Sequence, residues 1–457
     1  MADKMNICLI NDSFPPLIDG VANAVLNYAS IIQNEYGNAT VATPYYPGAD
    51  DSVYPYKVVR FPSIDTTKLV GYRAGFPFSA ETLEEIQAQN IDLIHTHCPI
   101  TSTFLARTLR DTIDAPVVLT YHTKFDIDIA NAIRSKLLQK SAIKALVENI
   151  SASDEVWAVS RGAGENLRSI GYTGDYVVME NGVDIPKGRV SKEAVAKATM
   201  GFDLPESVPL FMFVGRMVWY KGLRCILEAL AELAAKGHDF RMVFIGGGAD
   251  KDDAEALAKQ LGIGERCIFT GAIYDRDTIR AWYCRGDLFL FPSEFDTNGL
   301  VVREAAACGL GSMLIEGSCA AEGITDGETG FLIKNSSADM AAKLLELLRH
   351  PEIMRTVGEN AMNRIYISWE DSVKHAAERY QVVLDNYRSG KYERRRKFTD
   401  EWFKMNGEFL EGIAKAQEFT ERTPEEMKKR AETVLSELSE KYGELKEGIA
   451  QRFDRYL

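Results

Sequence analysis

DLFLFPSEFDTNGLVVRE, residues 287 to 304, joins a short apolar run to a loop and then to the start of a helix. Leu288 to Phe291 are apolar without alternation, the pattern of a strand buried on both faces of a parallel sheet. Asp296, Thr297 and Asn298 follow, then Gly299 and the helical spacing of Leu300, Val301 and Glu304. Such a helix start leaves backbone amides for an anion, helped by the positive end of the helix dipole. The stretch therefore predicts a phosphate site on the free N–H groups of Asn298, Gly299, Leu300 and Val301. Glu304 is placed to hold ribose hydroxyls, and Asp296 to meet the non-phosphate end of the same ligand.

Upstream, Phe211 to Gly215 reads as another buried strand, and GRMVWYKG (215 to 222) supplies Arg216 and Lys221 between two glycines. Two cations beside a phosphate-sized site fit a diphosphate. The same alternation of β-rich apolar runs and helix-length segments fills the chain. NICLIN, DLIHTH, PVVLTYH, EVWAVS and YVVME come first, and after a charged stretch near 187 to 209 it restarts with LFMFVG, RMVFIG, CIFTG and DLFLFP. This pattern predicts an α/β chain with two Rossmann-like, doubly wound domains. Open sheets of this kind bind ligands at the carboxyl ends of their strands, so a cleft between two domains is expected to carry loops from both.

Further motifs lie in order along the chain: LINDSFPPLIDG (9 to 20), THC (96 to 98), TYHT (120 to 123), ENGVD (180 to 184), FIGGG (244 to 248) and DGETGFLI (326 to 333). Together with GRMVWYKG and the 296 to 304 element, they make residues 5 to 388 resemble the retaining glycosyltransferase family 4, including its diacylglycerol glucosyltransferase type. The resemblance implies the GT-B fold. Its domains would be an N-terminal acceptor domain (1–190), a nucleotide-sugar donor domain (205–370) and a helix crossing back to the first domain (371–390). Residues 391–457 lie outside the resemblance.

The resemblance also implies roles. Arg216 and Lys221 would contact the donor diphosphate, Glu304 its ribose and Asp296 the sugar hydroxyls, while His122 would face the transferred sugar. Gly20 would let backbone approach the donor closely, and Gly246, Ile273 and Tyr274 would line the donor pocket, the base lying against GAIYDRD (271 to 277). Two departures stand out. Asp19–Gly20 replaces a common pair of glycines. Asp296 replaces the usual glutamate and is followed by Thr297 and Asn298 rather than an aromatic residue, so that Glu294 is a candidate to compensate. The implied chemistry is hexose transfer, with glucose favoured, from a nucleotide diphosphate sugar such as UDP-glucose, with retention of configuration. No cofactor and no metal ion are expected.

The bulk properties bound the partners. A net charge of −13 argues against general nucleic-acid binding. The seven cysteines form no C-x-x-C pair and read as reduced core residues of a cytosolic protein. His95 and His97 alternate on one strand and could chelate zinc, but no third ligand is suggested nearby. A dehydrogenase is excluded at the first strand, where LIND is followed by SFPPLIDG and lacks the glycine spacing that seats a dinucleotide. An epimerase and a non-catalytic nucleotide-sugar-binding scaffold stay as alternatives.

No run of about 18 apolar residues exists to span a membrane. The expected location is the cytoplasm, or a peripheral position on the inner face of the cell membrane. Arg134, Lys136, Lys140 and Lys144 make a basic stripe on a segment ending at Ile150, with Leu138, Ala142, Ala145 and Leu146 on the other side. That stripe suits anionic headgroups and a glycolipid or diacylglycerol acceptor hydroxyl. A soluble or polysaccharide acceptor, with the lysines merely solvated, is the other reading. In 391–457, Thr423, Pro424 and Glu426 start a helix whose apolar stripe runs from Met427 to Tyr456, predicting a hairpin that docks on the core or pairs two copies as a homodimer.

Overall fold

The computed structural model describes residues 4–67, 73–77, 79–126, 129 and 135–392. The expected hairpin of 391–457 lies outside these residues save for its first two positions. The chain divides into two compact units, one holding the described residues of Met1–Ala158, Gly164–Met179 and Val373–Leu457, the other Val159–Ala163 and Glu180–Ser372.

In chain order, the first unit contains β1 (Met5–Ile10), α1 (Gly20–Ile31), β2 (Gly37–Pro44), β3 (Lys57–Phe61), and a two-residue antiparallel pair, β4 (Ser63–Ile64) with β5 (Ala74–Gly75). It continues with β6 (Leu93–Thr96), α2 (Thr101–Ile113), β7 (Val117–Tyr121), α3 (Lys136–Ile150), β8 (Glu155–Ala158) and β9 (Val177–Val178). Seven strands form one parallel sheet in the order β3-β2-β1-β6-β7-β8-β9. Every residue of β6 and β7 is buried, which is why their sequences show no polar alternation.

The second unit contains β10 (Leu210–Val214), α4 (Leu223–Ala235), β11 (Arg241–Ile245), β12 (Cys267–Gly271), α5 (Arg276–Arg285), β13 (Leu288–Phe291), α6 (Leu300–Ala307), β14 (Ser312–Ile315) and β15 (Phe331–Ile333). Its six-stranded sheet has the order β12-β11-β10-β13-β14-β15, again parallel. The last described helix, α7 (Trp369–Arg388), belongs to the second unit through Ser372 and to the first from Val373 onward. Within the first unit, Tyr380 of α7 stacks on Trp157 of β8 at 5.3 Å, and Arg379 grips both carboxylate oxygens of Glu155 at 2.8 and 2.7 Å.

Each sheet reverses its winding direction once, between β1 and β6 in the first unit and between β10 and β13 in the second. Loops that leave adjacent strands toward opposite faces part at such a point and leave a crevice at the strands' carboxyl ends. GRMVWYKG follows β10 and the 292 to 299 loop follows β13, so both border the crevice of the second unit.

Candidate functional site

Two glycines bring the loops of the second unit together. A Cβ at Gly222 would lie 2.2 Å from the Pro292 carbonyl oxygen, and one at Gly246 would lie 1.9 Å from that of Gly215. With φ at +84° and +145°, both positions also favour glycine over any other residue. The loop after β10 is thereby pressed against the loops after β13 and β11. Trp219 N–H donates to Asp250 at 2.9 Å and orders the turn that carries Lys221.

Lys221 Nζ meets Asp296 Oδ2 at 2.5 Å, with only 13% and 17% of the two side chains exposed. The other oxygen, Asp296 Oδ1, accepts from the backbone N–H of Gly299 (3.0 Å) and Asn298 (3.4 Å). An anion thus already bridges an ammonium and the start of α6, and it is the protein's own carboxylate. This corrects the expectation of free amides from Asn298 to Val301. The first two are engaged, whereas those of Leu300 and Val301 have no acceptor among the described residues. Arg216 is exposed and donates to Tyr220 Oη at 3.1 Å. Glu294 accepts from Asn335 at 2.6 Å and is not paired with Lys221, so it does not substitute for Asp296 here.

Glu304, in α6, is buried, and desolvation raises its carboxyl above the usual range despite two donors. Tyr283 Oη donates to Oε2 at 3.0 Å, and Arg276 Nη1 to Oε1 at 3.2 Å. Arg276 also reaches Asp184 of ENGVD at 2.8 Å. Asn298 is buried with neither amide atom hydrogen-bonded among the described residues. Ile273 packs on the core, whereas Tyr274 is 90% exposed.

In the first unit, Gly20 is the first residue of α1, and a Cβ there would meet nothing within 4 Å. The Asp19 carboxylate caps this helix, accepting from Val21 N–H at 2.9 Å and Ala22 N–H at 2.7 Å. His122 follows β7, is buried, and contacts His97, which follows β6, with Nε2···Nδ1 at 2.9 Å. His95 has both ring nitrogens occupied, by Tyr380 Oη at 2.6 Å and Thr120 Oγ1 at 2.7 Å, so it has no lone pair left for the zinc considered above. Among the described residues no three His, Cys, Asp or Glu side chains are placed to hold a metal ion.

Lys136, Lys140 and Lys144 are exposed along α3, while Arg134 lies outside the described residues. The apolar side was misassigned: Leu138 (59% exposed) and Ala145 are exposed together with the lysines, and only Leu146 of that set is buried. No helix among the described residues is long and apolar enough to cross a membrane. Of the seven cysteines only Cys8, Cys284 and Cys308 are buried, so the uniform core assignment was too broad.

Lys221, Asp296 and Glu304 therefore gather on the loops and helix around one crevice, with Gly246 in the adjoining loop. Sequence reasoning missed Arg276, Tyr283 and Asp184. Arg276 and Asp184 stand inside motifs already marked, but their link to Glu304 is tertiary and left no local signal. His97 was weighed only as a metal ligand.

Two family models match: "Glycosyltransferase Family 4" over residues 18–187 and "Glycosyl transferases group 1" over residues 200–364. A sulfoquinovosyl transferase of Arabidopsis thaliana is 29% identical over 75% of this chain and 66% of its own length. An alpha-monoglucosyldiacylglycerol synthase of Streptococcus pneumoniae is 23% identical over 67% of this chain and 70% of its own. The structure of Anabaena HepE in complex with UDP superposes with a TM-score of 0.66 at 18% identity, covering 83% of this chain and all of that one, which shows the shared GT-B fold.

Proposed function

This chain belongs to the family 4 glycosyltransferases, and from that premise we propose that it transfers a hexose, glucose in the first place, from a uridine diphosphate donor to a hydroxyl of a membrane glycolipid or diacylglycerol. The observation that carries the donor half is the carboxylate of Asp296 held between Lys221 and the amides of Asn298 and Gly299, just ahead of α6. A site that binds its own anion so closely is suited to a diphosphate oxygen, which carries more charge and more acceptor positions. When the donor enters, its phosphate takes Lys221 together with the Leu300 and Val301 amides, with Arg216 swinging in. Asp296 is released toward the sugar hydroxyls. Glu304, already fixed by Tyr283 and Arg276, accepts from the ribose.

Transfer then proceeds on one face of the sugar. The acceptor oxygen forms a bond to the anomeric carbon as the bond from that carbon to the leaving phosphate oxygen breaks. The acceptor's proton passes to the departing phosphate, and configuration is retained. Cations and amide dipoles stabilise the charge that develops on the diphosphate, in place of a metal ion. The glycolipid acceptor is supported by the streptococcal relative, whose name is that of a glucosyldiacylglycerol synthase, and by the exposed lysines and Leu138 of α3, a pairing suited to an anionic membrane surface.

A thermal-shift screen of UDP-glucose, GDP-mannose and UDP-N-acetylglucosamine tests the donor. A ligand at about 100 times its Kd stabilises the native protein by about 2.7 kcal/mol, and UDP-glucose is expected to give the largest shift. Labelled glucose should then appear in the organic phase with diacylglycerol vesicles, in the presence of EDTA as in its absence. No shift with any of the three would overturn the donor assignment, and label that stays water-soluble would shift the acceptor to a soluble sugar or polysaccharide.

A further inference from the structure

Three buried histidines lie side by side in the first unit, and their protons can be counted. His95 is satisfied at both nitrogens. His97 is not. Its Nδ1 faces His122 Nε2 at 2.9 Å with the rings stacked 5.2 Å apart, while its Nε2 is buried without a hydrogen-bond partner among the described residues. The His95 ring lies 4.0 Å away and the edge of Tyr28 packs at 5.4 Å, so His97 is held from several sides. His122 Nδ1 has no partner among the described residues, nor is it among the buried orphan atoms.

Both imidazoles are neutral, since desolvation pushes His122 down to about 3 and His97 well below its ordinary value. One proton therefore sits between the two rings, and only two arrangements exist. If His122 Nε2–H donates to His97 Nδ1, the proton of His97 sits on Nε2 as a buried N–H with no acceptor. If His97 Nδ1–H donates to His122 Nε2, the orphan atom is a bare acceptor. Buried orphan donors are the rarer of the two in folded proteins, and a lost donor bond carries the desolvation penalty of the N–H group.

We propose that His97 is a positioning residue that donates from Nδ1 to His122 Nε2 and holds His122 as its Nδ1–H tautomer, making His122 a hydrogen-bond donor to the transferred sugar and not a general base. The catalytic half of this statement rests on the transferase function proposed above; the tautomer itself does not. With Nε2 occupied, His122 has a single free nitrogen, and that nitrogen carries a proton. It can donate to a sugar hydroxyl oxygen and cannot remove the acceptor's proton, which is consistent with the leaving phosphate serving as the base.

The chain has six histidines, so long-range 1H–15N correlation on histidine-labelled protein resolves their tautomers without any substrate. Wild type is expected to show His122 protonated at Nδ1, and protonation at Nε2 would overturn the proposal. His97→Phe, which keeps the ring but removes the donor, should convert His122 to a mixture of tautomers and lower kcat by about 10–100-fold while the donor KM moves little. His97→Asn places an amide N–H where Nδ1–H stood and should recover at least about tenfold over His97→Phe. Equal losses in the two variants, tracking their loss of thermal stability, would reduce His97 to packing and overturn the proposal. The wild-type spectrum decides the tautomer even if a variant fails to fold. Should wild type transfer no sugar at all, the transferase function fails while the tautomer is still read.

Discussion

Lowering the pH from 8 to 5 is expected to weaken the first unit, because three of its histidines are buried uncharged. Burial depresses all three, with His122 held at about 3. In the unfolded chain each imidazole titrates near 6.5. Below that value and above the folded one, the unfolded state binds more protons, so stability falls as the pH falls. At pH 5, about 1.5 units below the unfolded value, His122 alone costs about 2 kcal/mol at roughly 1.36 kcal/mol per unit. His95 and His97 act in the same direction, for a total of up to about 6 kcal/mol. That is comparable with the whole stability of an ordinary domain. Asp12 opposes the trend: burial raises its carboxyl, so the folded chain takes up that proton more readily as the pH falls. Urea unfolding followed by circular dichroism at pH 8, 6.5 and 5 measures the effect in the first transition. His122→Asn removes one of three titrating rings and should flatten the dependence by about a third. A first midpoint that stays constant from pH 8 to 5 would refute the neutral burial of these rings.

Three further outcomes are expected. Glu304→Gln keeps the size but loses the charge that binds ribose hydroxyls, so calorimetry should show nucleotide-sugar affinity reduced by about 10–100-fold with an unchanged circular dichroism spectrum. Gly246→Ala forces a methyl group against the Gly215 carbonyl oxygen and should cost about 2–4 kcal/mol in urea unfolding, with donor binding lost together with stability. Replacing Lys136, Lys140 and Lys144 by glutamine should weaken partition onto anionic vesicles by about a hundredfold in flotation, at about 1 kcal/mol per lysine, and leave neutral vesicles unaffected.

The architecture was legible because parallel strands buried on both faces must be continuously apolar, and LFMFV, MVFI and LFLF are so in the chain and in the sheet. The candidate site was placed in the loop after β13 for a related reason. A phosphate-binding helix start needs a strand, a short loop and a glycine, and all three are local. What stayed hidden depends on partners far away in sequence. That Asp296 joins Lys221, 75 positions away, to the amides of Asn298 and Gly299 depends on a loop conformation and a distant partner rather than on residue type alone. Arg276 is 28 positions from Glu304 and 92 from Asp184, so no periodicity reports that it joins them. The orientation of α3 was misread because a strip of lysines with alanine and leucine nearby leaves the buried side ambiguous, and Leu138 fell on the exposed one.

Each unit breaks the ordinary rules of folding near the crevice of its own sheet. In the second, a buried glutamate keeps a raised carboxyl, a lysine and an aspartate neutralise one another just ahead of a helix, and the Asn298 amide is buried with its hydrogen bonds unmade among the described residues. In the first, two neutral imidazoles share one proton while a ring nitrogen has no partner among the described residues. Unmade hydrogen bonds of this kind cost about 1–3 kcal/mol each, and packing for stability alone would favour apolar replacements. Such groups persist where a ligand completes them. In the proposed mechanism the pairing of Lys221 with Asp296 sets an order of events: the diphosphate displaces Asp296 from Lys221 in order to bind. The displaced carboxylate then becomes available to the sugar only when a donor is present. Asp296→Asn should therefore bind free UDP more tightly than wild type, by roughly 5–30-fold for 1–2 kcal/mol of relieved competition, yet transfer sugar more slowly. A variant in which both quantities fell together would show that Asp296 holds the diphosphate site open rather than competing for it.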